Sequence, residues 1–113
     1  MTTGGGGFVV AWEFRVRAEA VAAFVQAYGP EGAWVALFRR AEGFVETLLL
    51  ADRTAPGRFV TIDRWRDAAA HRAFHARFTA EYAALDTACA GWTTHEAWLG
   101  EFDVAAPPAE EIA

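Results

Sequence analysis

The chain contains no serine, no lysine and no asparagine. Without serine there is no Ser-centred hydrolase. Without lysine there is no Schiff base to a carbonyl or to pyridoxal phosphate, and without asparagine no site that needs its amide donor. The single cysteine, Cys89, cannot form an internal disulfide, in keeping with a reducing compartment. All ten cations are arginines, they form no basic run, and the net charge is −5, so nucleic acid and anionic membranes are not expected partners. No apolar stretch approaches the roughly 18 residues of a membrane span. The N-terminal MTTGGGG lacks the charged and apolar regions of a signal peptide, which makes the cytoplasm the expected location.

Apolar residues, by contrast, are plentiful. At 113 residues, 54% hydrophobic and 14% aromatic, the chain can build one domain with one core, and the surplus points to a second surface buried in an oligomer. Residues 1–7 read as a flexible leader. Phe8–Val16 alternates as a strand, with Phe8, Val10, Trp12, Phe14 and Val16 on one apolar face and Val9, Ala11, Glu13 and Arg15 on the other. Ala18–Tyr28 has helical spacing, with a buried stripe of Val21, Phe24, Val25 and Tyr28. A second short helix, with Pro30 in its first turn, carries Trp34, Leu37, Phe38 and Ala41 and closes at Gly43.

Phe44–Ala51 and Arg58–Trp65 are strands joined by the turn DRTAPG, hence antiparallel neighbours. Asp67 is placed to cap an amphipathic helix whose stripe reads His71, Phe74, Phe78, Tyr82, Leu85 and Cys89, with a break or re-cap expected at Thr79. In that Ala-rich setting Cys89 reads as a buried structural residue. Trp92–Leu99 is a last strand, and residues 103–113 a Pro-rich acidic tail expected to be disordered.

The order β-α(α)-β-β-α-β is that of a ferredoxin-like α+β fold: a four-stranded antiparallel sheet with helices on one face. The other face is left bare. Val9, Ala11, Val45, Thr47, Leu49, Val60, Ile62 and Leu99 are the residues expected there, and an apolar face of that size predicts a homodimer packed sheet to sheet.

That order, together with Glu42-Gly43-Phe44 before the second strand and TIDRWRDAAAHRAF over Thr61–Phe74, resembles the antibiotic biosynthesis monooxygenase family. The likeness spans about residues 8–102, taken as a single domain. It implies a dimeric α/β barrel with a pocket between sheet and helices, lined here by Trp12, Phe14, Trp34, Phe38, Phe74, Phe78 and Tyr82. It also implies oxidation of a small aromatic or quinol by O₂ without metal or flavin. Quinol-oxidising relatives often place a histidine nine residues after the strand-end tryptophan; here that position is Phe74, with His75 next to it. One residue turns a helix by about 100°, which leaves His71, on the Phe74–Phe78 stripe, as the pocket histidine. The haem-degrading branch uses an asparagine, a tryptophan and a histidine where this chain has Phe14, Phe74 and about Ala84, so haem is not an expected cofactor.

Two candidate catalytic residues follow. His71 is a general base toward a phenolic proton, and Tyr82 a donor to a bound carbonyl, a role Tyr28 could share unless it is packing with its hydroxyl at the rim. His71 and His75 have the i, i+4 spacing of a two-histidine metal site, but the intervening Arg72, Ala73 and Phe74 lack the glutamate of the metalloprotease pattern. Ordinary helix-surface or core-edge histidines explain the pair better, and no metal is expected. Most of the aromatics read singly as core; together they make a flat apolar pocket suited to a planar ligand. Glu13, Arg15, Glu46, Asp63, Arg64 and Arg66 read as cross-strand ion pairs rather than catalytic groups. The alternative function is a non-catalytic dimer that binds a small apolar ligand, or a pathway accessory protein of unknown function.

Overall fold

The computed structural model describes residues 7–106. Strand β1 (Phe8–Val16) leads through a 3₁₀ turn at Ala18–Ala20 into helix α1 (Val21–Tyr28), then α2 (Ala33–Phe38). Strands β2 (Phe44–Ala51) and β3 (Arg58–Trp65) form a hairpin, followed by helices α3 (Ala68–Arg77) and α4 (Thr79–Cys89). A second 3₁₀ turn, Ala90–Trp92, enters β4 (Thr93–Asp103). The sheet order is β2-β3-β1-β4, antiparallel throughout. This is the expected ferredoxin-like fold. Among the described residues, no helix is long and apolar enough to cross a membrane.

The core lies between the helices and one sheet face. Trp65, Phe24, Phe74 and Val35 are its most deeply buried side chains. Phe24 stacks on Tyr28 with ring centroids 4.1 Å apart, and Phe38 meets Phe44, Trp65 and Phe74 at 5.2–5.7 Å. Asp67 caps α3 as expected, its carboxylate accepting from the Ala70 N–H at 2.8 Å. At Phe78 the backbone leaves helical geometry, separating α3 from α4. The Thr79 hydroxyl turns back onto the His75 carbonyl at 2.7 Å instead of capping the new helix.

Several details differ from the sequence reading. Val25 is exposed, because α1 buries only a narrow stripe of Phe24 and Tyr28. Pro30 lies in the turn before α2, which begins at Ala33. The last strand extends to Asp103, one residue inside the expected tail; the remainder of that tail from 107, and leader residues 1–6, lie outside the described residues.

The most consequential difference is in β2. A bulge between Phe44 and Glu46 places an extra residue opposite β3, so Phe44 pairs with Trp65 while Thr47 pairs with Asp63 and Leu49 with Thr61. A one-residue insertion flips every later side chain to the other face. Thr47 and Leu49 therefore face the helices rather than the bare face, and Leu48 and Leu50 take their place there, each about half exposed. With Val9, Ala11, Val60, Ile62 and Phe102 they make the uncovered face apolar; Phe102 is 52% exposed. Leu99 falls in a second bulge, between the pairs Ala11–Gly100 and Trp12–Trp98.

Candidate functional site

Between the sheet and helices α1, α2 and α4 lies a cavity of about 250 Å³. Its floor comes from three strands. Trp12 and Phe14 alternate on β1, Thr61 and Asp63 on β3, and the β2 bulge turns Thr47 inward to join them. The walls are Tyr28, Trp34, Phe38 and Tyr82, supplied by helices whose apolar stripes face the sheet. Asp86 and Glu96, both exposed, stand at the rim. The aromatic walls brace one another. Trp34 meets Tyr82 edge-on at 5.0 Å, Tyr28 at 5.7 Å and Phe38 at 5.9 Å, and Phe14 packs on Tyr28 at 5.1 Å.

One partly buried carboxylate stands among these rings. Asp63 accepts a hydrogen bond from the Thr47 hydroxyl at 2.7 Å. Burial lifts its carboxyl from 3.8 to about 6, against the smaller opposing pull of that hydrogen bond. A group of that strength is ionised at neutral pH yet close enough to it to take up and return a proton. Burial also raises the Tyr82 hydroxyl to about 12, with further contributions from the Asp86, Asp63 and Glu96 charges. Tyr28 is pushed up in the same direction, chiefly by burial. Both phenols remain protonated donors.

Of the residues picked from the sequence, the cavity brings together Trp12, Phe14, Trp34, Phe38 and Tyr82. Phe74 and Phe78 are buried core beneath a separate groove beside α3, where Phe74 supports Phe38 from behind at 5.2 Å. His71 does not line the cavity. Its ring sits against Phe8 and Trp65, at 5.6 and 5.4 Å, and its Nε2 lies 3.0 Å from that of His75. Burial, then the charges of His75 and Arg72, lowers His71 to about 4, so it is neutral and a weak base at pH 7. His75 in turn packs on Tyr82 at 5.0 Å, which makes the pair a support behind the cavity wall. Among the described residues, no three His, Cys, Asp or Glu side chains are grouped to hold a metal ion. Cys89 is buried, as expected.

Asp63 is the residue that sequence reasoning passed over. The signal was present in β3 itself: Phe59, Thr61, Asp63 and Trp65 share one parity, and Trp65 is a core residue. Pairing Asp63 with neighbouring arginines hid it. Thr47 was out of reach of pattern reading, because the bulge that turns it inward has no sequence signature in FVETLLLA.

A split βαβ sheet backed by helices, with an aromatic cavity between the layers, places the chain among the small ferredoxin-like α+β proteins. The model of the antibiotic biosynthesis monooxygenase family matches residues 7–84, more than half of the chain, and the protein belongs to that family. SnoaB, a cofactor-independent oxygenase from Streptomyces nogalater, is similar in structure at 25% identity and a TM-score of 0.64, over 93% of this chain and 98% of its own. A mutant of SnoaB gives 24% identity and a TM-score of 0.69, over 93% of this chain and 99% of its own. A putative antibiotic biosynthesis monooxygenase from Nitrosomonas europaea aligns at 18% identity and a TM-score of 0.70, over 96% and 100% of the two chains. No curated protein matches the chain.

Proposed function

We propose that this protein is a cofactor-independent monooxygenase acting on a small electron-rich phenol or quinol, with Asp63 as its base. The observation that carries the reading is the Asp63 carboxylate, raised by burial to about 6 inside an aromatic-walled cavity. Family membership and the likeness to SnoaB support it.

The substrate ring lies among Trp12, Phe14, Trp34 and Phe38, and the cavity's modest volume, below the roughly 300 Å³ at which ligand pockets usually begin, selects a small planar molecule. Asp63 takes the phenolic proton. Tyr82 donates a hydrogen bond to the phenolate oxygen and holds the developing charge. The electron-rich anion passes one electron to O₂, and the substrate radical and superoxide combine at a ring carbon to form a C–O bond. Asp63 returns its proton to the peroxide. Cleavage of the O–O bond with loss of that carbon's hydrogen leaves a carbonyl on the substrate and releases water. All four electrons that reduce O₂ come from the organic substrate. His71, behind the wall, positions His75 and Tyr82 without touching the ring. The protein acts as a homodimer, with the bare sheet faces of two copies covering Leu48, Leu50 and Phe102.

Oxygen uptake with a naphthohydroquinone, measured above the uncatalysed blank, tests this. Asp63→Asn should lower the rate by about 10²–10⁴-fold, the span of general base catalysis, while His71→Ala keeps it within a few fold. Loss of turnover in His71→Ala with retention in Asp63→Asn would return the base to His71. Binding without any uptake above the blank would establish a ligand-binding module instead.

A further inference from the structure

The charge of the cavity is one-sided. Its lining holds three carboxylates, Asp63 on β3, Asp86 on α4 and Glu96 on β4, and no arginine or histidine. Among the described residues none of the three is neutralised by an ion pair. Glu96 is steadied by the Thr93 hydroxyl, which donates to its Oε2 at 3.1 Å. The three carboxylates line one cavity with Tyr82, and each of their charges raises its hydroxyl. They do not form a metal-ligating group. The aromatic-walled cavity makes the site, and the carboxylates set its sign.

Aromatic rings suit the same sign. Trp12, Trp34, Phe38 and Tyr82 line the cavity, and the face of an aromatic ring attracts cations, most strongly where water is excluded. An anionic substituent entering here would meet three like charges and no partner. A protonated amine would meet carboxylates at the rim and rings on the way in. We infer that the ligand is a phenol or quinol bearing a protonated amino group, its ring held inside the cavity and its ammonium drawn to Asp86 and Glu96. This rests on the reading of the cavity as a phenol site and adds the charge of the molecule it takes.

Three phenols of one scaffold separate the two ideas: tyramine, 4-ethylphenol and 3-(4-hydroxyphenyl)propanoate, cationic, neutral and anionic in turn. Their dissociation constants at pH 7.5 and low salt can be read by titration calorimetry on the wild-type protein. Tyramine should bind at least tenfold more tightly than the propanoate, with 4-ethylphenol between them, and 0.5 M NaCl should compress the series. In Asp86→Asn/Glu96→Gln, whose exposed positions spare the fold, the three constants should come within about threefold of one another. Equal affinities in the wild type, or a preference for the propanoate, would overturn the charge selection and leave the phenol site standing. A charge order untouched in the double variant would overturn the role of the rim. Failure of all three phenols to bind would overturn the phenol site itself, and the inference with it.

Discussion

Replacing Asp63 by asparagine should stabilise the protein at neutral pH while impairing turnover, and the size of the gain follows from the structure. Folding lifts the Asp63 carboxyl from 3.8 to about 6 because burial removes water from the charged form. Between those values the folded state holds more protons than the unfolded state, so this group's contribution makes stability fall as pH rises. The cost is absent below the unfolded value and complete above the folded one. A shift of about two units at 1.36 kcal/mol each sets a ceiling of about 3 kcal/mol. Asparagine keeps an acceptor for the Thr47 hydroxyl and carries no charge to desolvate. Asp63→Asn should therefore match the wild type in stability near pH 3.5 and exceed it by up to about 3 kcal/mol at pH 8, or about 10 °C in Tm for a chain of this size. Urea denaturation followed by tryptophan fluorescence, at fixed protein concentration, gives the difference at each pH. Equal differences at the two pH values, within about 0.5 kcal/mol, would refute the claim that the carboxylate is desolvated, and with it the basis for calling Asp63 a base.

Gly43 has φ +94°, and a Cβ there would sit 2.6 Å from the Ala70 Cβ, so Gly43→Ala should cost about 1–3 kcal/mol in chemical denaturation through backbone strain and the clash between the β2 entry and α3. Asp67→Ala removes the α3 cap and should cost about 1 kcal/mol, with the loss fading in acid as the wild-type carboxylate, held low by the Ala70 N–H, becomes protonated. Leu50→Asp, on the bare sheet face, should convert the proposed dimer to monomer in sedimentation velocity; an unchanged sedimentation coefficient would overturn the sheet-to-sheet interface.

Strand and helix order were determined by the sequence alone, for a simple physical reason. Alternation in Phe8–Val16 and Arg58–Trp65, helical spacing from His71 to Cys89, and stop signals at Gly29-Pro30 and Gly43 are local properties, and the structure keeps each of these elements. That order together with Glu42-Gly43-Phe44 and the Thr61–Phe74 run implied the family, and the likeness in turn implied a pocket between sheet and helices, where the structure places five of the aromatics named for it. Site chemistry was another matter. Which carboxylate is desolvated depends on what surrounds it, and Asp63 shares its cavity with Tyr28, Trp34, Phe38 and Tyr82, residues distant in sequence. The Phe44–Glu46 bulge, visible only when β2 is laid against β3, decides that Thr47 rather than Glu46 faces Asp63. His71 shared a helical face with the buried Phe74 and Phe78, yet α3 docks so that this face meets Phe8 and Trp65 at the end of the sheet. Periodicity says which side of a helix is buried; only the packing of one element on another decides what it is buried against.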